Sequence, residues 1–196
     1  HVPVVKFLEA DFTKNITKDL TAVMPEPADA IIVLQMIHYM LRDAATFKTF
    51  MKNLNSRATL GTTVIITCMD GQALFDFLTE NKVGYGESFT WYSDPHHDSP
   101  PKEMFKIVRK WKDQKTMKKT GQMIEVYVEN IQGYQEPLVN IDGYLLPVLK
   151  ANGYSLMSRF SFKDWENTWA KGKGNPALSP SEMAFRDFYV GLVMQK

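Results

Sequence analysis

A chain of 196 residues, 44% hydrophobic and 23% charged, carries enough apolar material for one well-cored domain. Its formal net charge of +1 makes no global electrostatic case for a polyanion, and no apolar run is long enough to span a bilayer. One cysteine, Cys68, excludes an internal disulfide framework; it fits a reducing compartment, and a cytoplasmic location is expected. The opening residues, His1 to Lys6, lack the basic region and cleavage pattern of a signal peptide.

In chain order, Val2 to Leu8 reads as a buried strand, ended by Glu9-Ala10-Asp11-Phe12. Thr13 to Met24 reads as a linker with one helical turn, stopped by Pro25 and Pro27. The stretch Asp29 to Tyr39 is the centre of the sequence. Its aliphatic run, Ile31 to Leu34, suits a central parallel strand covered on both faces. It then releases Gln35, His38 and Tyr39 just past the strand's carboxyl end, where open α/β sheets bind ligands. On the local run alone, His38 and Tyr39 read equally well as packed residues starting a helix. Arg42 to Arg57 follows as an amphipathic helix with Phe47, Phe50, Met51 and Leu54 on one face. Thr62 to Thr67 is another β-branched strand, and Asp70 is placed to cap a helix through Leu78. This order predicts an α/β, doubly wound sheet.

Past Gly84 the texture changes. Aromatic Phe89 to Tyr92 and the loop Ser93 to Pro101 precede two half-exposed strands, Phe105 to Trp111 and Met123 to Val128. The segment from about 84 to 130 is therefore expected to be a β insertion on the sheet's ligand edge. Lys102, Lys106, Arg109, Lys110, Lys112, Lys115, Lys118 and Lys119 crowd it, with Glu103 and Asp113 the acids among them. Such a patch faces a polyanion or is a solvated surface. Asn140 to Asn152 reads as a helix kinked at Pro147 and stopped by Gly153. Ser155 to Phe162 is a strand, and Lys163 to Ala170 a short helix with Trp165 and Trp169 at core spacing. Ser179-Pro180-Ser181-Glu182 is a capping box, and Phe188 to Met194 a final strand. The last strand and Ser155 to Phe162 are expected to pair antiparallel at one edge. His96-His97-Asp98 are too close together to face one ion, so no metal site is expected. Cys68 reads as a small buried apolar residue.

Taken in order, several of these patterns resemble the mRNA cap guanine-N7 methyltransferases, in particular the methyltransferase domain of large viral capping enzymes. The aliphatic run into His38-Tyr39 is one. Leu60-Gly61-Thr62-Thr63 and Thr67-Cys68-Met69-Asp70 stand where the family has a Gly-Gly turn and Thr-x-Pro-Asp. Gln135-Glu136-Pro137-Leu138-Val139 matches its Pro-Glu-Tyr-Leu-Val element, and Leu178 to Glu182 followed by Tyr189 matches its C-terminal pattern. The departures are Gln35 for a stacking aromatic, Thr62 for the second glycine and Met69 for the proline. The family's Gly-rich cofactor loop and ribose-binding acid have no counterpart in the sequence.

The resemblance implies a Rossmann-like class I S-adenosylmethionine-dependent methyltransferase, residues 1–196 being the later part of the domain. It implies cap guanine binding by His38, Tyr39, Glu136 and Tyr189, and cofactor binding by Asp11, Phe12, Leu34 and Gln35. Cap phosphates or RNA fall to Lys115, Lys118 and Lys119. It further implies capped mRNA as partner, and guanylyltransferase and triphosphatase domains upstream in the same polypeptide. Catalysis would be by orientation, with no general base. Asp11 as a turn residue and Glu136 as a surface carboxylate before a helix are the plainer alternatives. So, for the whole chain, are a non-catalytic cap- or partner-binding remnant and a methyltransferase acting on another substrate.

Overall fold

The computed structural model describes residues 5–93, 100–112, 115–129, 131–164 and 178–196. The elements are α1 (Thr17–Val23), β1 (Ala28–Leu34), α2 (Ile37–Met40), α3 (Ala44–Asn55), β2 (Ala58–Met69) and α4 (Gly71–Glu80). Next come β3 (Ser88–Tyr92), β4 (Glu103–Arg109), β5 (Met123–Val128) and β6 (Ile131–Pro137). A π turn over Ile141–Leu145 runs into α5 (Leu146–Ala151), followed by β7 (Ser155–Ser161), α6 (Pro180–Arg186) and β8 (Tyr189–Gln195).

Two four-stranded sheets result, in the orders β1-β2-β8-β7 and β3-β4-β5-β6. In the first, β1 and β2 are parallel, and β8 lies antiparallel between β2 and β7. The expected antiparallel edge is there. The second sheet is an antiparallel meander.

The first core follows from alternation along β2: Val64, Ile66 and Cys68 point to one face and are buried. They pack with Val33, with Phe47, Phe50 and Leu54 of α3, and with Leu192 of β8. A second core joins α4 and α6 to the inner face of the meander through Leu74, Leu78, Trp91, Ile107, Ile124 and Phe185. Helix starts are set locally. Asp43 accepts from Thr46 N at 2.7 Å, Asp70 from Gln72 N at 3.0 Å, and Ser179 and Glu182 form the expected capping box. Arg159 ties β7 to the α4 cap and the π turn, reaching Asp70 at 2.5 Å and Asp142 at 2.9 Å.

Four expectations are corrected. Residues 5–8, the described part of the first predicted strand, form no strand, and Phe7 is 92% exposed. An apolar run becomes a buried strand only where a ladder and covering layers receive it, and here neither does. For the same reason the β1 run is not covered on both faces. Val33 is buried under α3, but Ile32 and Leu34 are 60% and 61% exposed. The meander extends to Pro137, beyond the expected end of the insertion, so Glu136 lies in a strand and not before a helix. Asn140 to Asn152 is not one α-helix: a π turn over Ile141–Leu145 precedes α5, and Pro147 sits in the first turn of α5, where its missing N–H costs little. Trp165 and Trp169 lie outside the described residues.

Candidate functional site

The carboxyl end of β1 turns sharply at Gln35, whose φ of 50° lies in the left-handed region that non-glycine residues seldom adopt. Its N–H donates to Thr67 O at 3.0 Å and Thr67 Oγ1 at 3.2 Å, which fixes the turn against β2. The turn delivers α2, and with it His38, onto β6 of the other sheet. There His38 Nε2 meets Glu136 Oε2 at 3.1 Å, both residues being buried at 9% and 5% exposure. The approach is close, but its angle misses a formed hydrogen bond, and Nε2 has no such partner among the described residues.

Burial disfavours charge on both partners. It pushes His38 down to about 4 and Glu136 up to about 7. At neutral pH the imidazole is therefore uncharged, and the carboxyl is poised between its two forms. Aromatic rings surround the pair. Tyr39 lies against His38 with centroids 4.0 Å apart, tilted 52°. The Tyr134 and Tyr189 phenols neighbour Glu136 and are raised by burial and then by its charge, Tyr134 to about 12.

Tyr39 also lines a cavity of about 420 Å³, with Asp11, Phe12, Arg42, Met123 and Gln135, among others. Neither His38 nor Glu136 lines it: on β6 Glu136 faces inward with Tyr134, while Gln135, on the cavity side, faces outward. The chain thus brings His38, Tyr39, Glu136 and Tyr189 together around the pair, while Asp11 and Phe12 line the cavity that Tyr39 shares. Asp11 also serves as a turn residue: it accepts from Thr13 N at 3.0 Å and Thr13 Oγ1 at 2.6 Å, which lowers its carboxyl. Leu34 and Gln35 are exposed at the β1 end and do not line this cavity.

The basic segment divides. Lys106 pairs with Glu103 at 2.8 Å, Lys110 with Glu125, and Arg109 is buried and donates to Val83 O at 2.7 Å. Lys115, Lys118 and Lys119 are exposed and have no ion pair among the described residues. Their loop is pinned beside the site: Gly121 N donates to Leu41 O at 3.1 Å, and Asn140 Nδ2 to Lys118 O at 3.0 Å. Sequence reasoning missed Tyr134, Arg42, Met123 and Gln135. Tyr134 was recoverable only with β6 in hand, since residues two apart on a strand share a face.

A larger groove of about 740 Å³ between α3 and α5 is lined by Lys48, Lys52, Tyr144 and Asn152. Its lining contains neither His38 nor Glu136. No group of three metal-ligating side chains occurs among the described residues, and His96, His97 and Asp98 lie outside them. Cys68 is buried, its thiol pushed up to about 12, as suits a small apolar residue.

The pair has a pH signature. Glu136 titrates at about 7 when folded against an ordinary 4.5, so it binds more protons folded than unfolded and destabilises the fold as pH rises through that window. His38, at about 4 against 6.5, does the reverse and stabilises as pH rises from about 4 to 6.5. Glu136→Gln should leave only the His38 slope. Its melting temperature should therefore climb more steeply than the parent's between pH 4.5 and 6.5. Superimposable melting profiles would contradict the assignment.

No protein-family model matches the chain, and no curated protein matches it. Among solved structures it is similar to an S-adenosylmethionine-dependent methyltransferase from Clostridium acetobutylicum ATCC 824, at 10% identity and a TM-score of 0.48, covering 95% of this chain and 62% of that one. The glycopeptide N-methyltransferase MtfA complexed with S-adenosylmethionine matches at 9% identity and TM-score 0.46, over 96% and 63% of the two chains. The CcbJ methyltransferase from Streptomyces caelestis matches at 11% and 0.44, over 87% and 61%. The chain thus spans less than two thirds of each. At these scores the likeness carries no weight on activity, and the fold rests on the strand order above.

Proposed function

We propose that this chain is the later part of a Rossmann-like methyltransferase domain that transfers a methyl group from S-adenosylmethionine to N7 of the mRNA cap guanine. The observation that supports it is the meeting of His38 and Glu136, 98 positions apart in sequence (136 − 38), at 3.1 Å among Tyr39, Tyr134 and Tyr189. A guanine edge offers the N1–H and N2–H donors and the O6 acceptor. An ionised Glu136 accepts from both donors, and a neutral His38 donates to O6 from its ring N–H. Adenine would leave the buried carboxylate unpaired. Tyr39 and Tyr189 wall the base.

S-adenosylmethionine, when bound, supplies an electrophilic methyl on sulfur. The N7 lone pair displaces the neutral thioether, so no proton need leave N7 and no general base is required. The chain's part is to hold N7 in line and to set Glu136 against the positive charge that moves onto the purine. Asp11 keeps an ionised, exposed carboxylate at the cavity wall that suits an adenine amino group, with Phe12 beside it; Leu34 and Gln35 stand at the β1 end.

The test is methyl transfer to capped RNA against uncapped triphosphate RNA by the protein containing this chain. Equal transfer to both would refute the cap reading. Lys115, Lys118 and Lys119 are proposed to meet cap phosphates or the following RNA. Changing all three to Ala should lower the slope of log affinity for capped RNA against log salt by about 2–3. An unchanged slope returns the loop to plain surface. A cap-binding module without catalysis is the second reading, favoured by the commitment of Asp11 to Thr13 and Lys14. It predicts cap binding with no methyl transfer. Guanylyltransferase and triphosphatase domains in the same polypeptide, and a cytoplasmic setting, belong to the same proposal.

A further inference from the structure

The inner face of the second sheet is spent on its core, which leaves the outer face to account for. Alternation turns Thr90 and Tyr92 of β3, Lys106 of β4, and Glu125 and Tyr127 of β5 outward. Lys106 stands directly opposite Thr90 on one side and Tyr127 on the other, and its Nζ lies 4.3 Å from the Tyr127 ring centroid. Tyr92, 55% exposed, is the next neighbour of Lys106. The Tyr127 ring lies across β6 over Gly133, where a Cβ would come within 2.3 Å of it; Gly133 is what lets the ring lie flat. Glu125 bonds both Tyr127 Oη and Lys110, so the row is held in place by its own polar contacts.

This face is continuous with the 420 Å³ cavity. Met123 precedes Glu125 and Tyr127 on the same face of β5, and Gln135 pairs opposite Glu125; both Met123 and Gln135 line the 420 Å³ cavity. The unpaired Lys115, Lys118 and Lys119 lie in the loop that leads into Met123. Exposed aromatic rings on a sheet face, next to a lysine-rich loop, match a single nucleic-acid strand, because every base has a π face and every linkage a phosphate.

We infer that the outer face of the second sheet is a platform for the RNA strand leaving the cavity, with bases stacked on Tyr127 and Tyr92 and phosphates on Lys115, Lys118 and Lys119; Lys106, paired with Glu103, orders the Tyr127 ring. The inference rests on the cap reading of the cavity and goes beyond it by assigning a path to the nucleotides after the cap. Two outward positions on β3 and β5 are two strand spacings apart, roughly 10 Å, so short cap analogues do not reach both.

The experiment compares binding of the cap dinucleotide GpppG and of a capped ten-nucleotide RNA to the full chain. The parent should bind the longer probe about tenfold or more tighter, one stacked base being worth about 1–3 kcal/mol. Tyr92→Leu with Tyr127→Leu should erase that gain and leave GpppG affinity within about twofold. Tyr127→Phe, which keeps the ring, should retain the gain; if the double variant melts early, Tyr92→Leu alone should still cut it. A length gain unchanged in Tyr92→Leu and in the double variant overturns the platform while the cap site stands. If GpppG fails to bind the parent, the cap reading falls, and an uncapped triphosphate ten-mer reads the face by itself. Binding of that RNA that depends on Tyr92 and Tyr127 upholds the platform, and binding indifferent to them, or no binding, removes it.

Discussion

Glu136→Gln is expected to lower methyl transfer to capped RNA by a hundredfold or more while leaving cofactor affinity untouched. The substitution keeps the side chain's volume in a site where Glu136 is only 5% exposed, so packing is preserved. What changes is the chemistry. An amide accepts from one of the guanine donors and turns its own NH₂ against the other. It also withdraws the negative charge that offsets the developing purinium, an interaction that strengthens only in the transition state, so the loss should fall on kcat. Stability should move the other way at pH 8, because a buried charge is removed. His38→Ala should cost about 1–3 kcal/mol in transition-state binding through the lost O6 contact. Steady-state kinetics and calorimetry of both variants decide the matter. Turnover within a factor of about three of the parent in both would end the guanine-pocket assignment.

Gly71→Ala is expected to destabilise the whole domain, by about 1–3 kcal/mol or more. Gly71 opens α4 immediately after its Asp70 cap, and its N–H donates to Val139 O at 3.0 Å. A Cβ there would stand 2.6 Å from Val139 O, 2.7 Å from Val139 N and 2.7 Å from Met117 Cε. Two of these three atoms are backbone and cannot rotate away. Relief requires the chain after β6 to back off from α4, and Glu136 is three residues from Val139. The variant should therefore melt at lower temperature and lose the pH signature of the His38–Glu136 pair. A melting temperature within a degree of the parent would show that this junction yields easily.

Much of the fold was legible because its signals are local. Asp70 and the Ser179–Glu182 box each begin a helix by satisfying N–H groups within three residues, so a short window carries the whole message. The β2, β5, β7 and β8 strands carry β-branched or alternating runs that need little context. β6 does not. Its Ile-Gln-Gly-Tyr-Gln-Glu-Pro sequence is polar and holds both Gly and Pro, and it is a strand because β5 offers it a ladder. The Val2 to Leu8 run, over its described residues 5–8, failed for the converse reason: strand character without a ladder to join. The site divides in the same way. His38 and Tyr39 were flagged by their place after an aliphatic strand, but Glu136 came forward only through a family resemblance. No local pattern connects it to His38; that contact is made by the turn at Gln35 and the pairing of β6. Arg42 and Met123 reach the cavity wall through tertiary packing alone.

The position of β8 has a cost in time. It is the strand latest in sequence and yet lies inside its sheet, between β2 and β7. Tyr189 comes 120 positions after its partner Met69 (189 − 69). A ribosome adding about 5–20 residues per second would take roughly 6–24 s to cover that distance. Throughout that interval the nascent β1–β2 pair has no β8 to close the far edge of β2, and the first core lacks Val190, Leu192 and Met194. The newborn chain must wait with an unsealed hydrophobic seam, so its yield in the cell should depend on holdase chaperones more than its final stability alone would suggest.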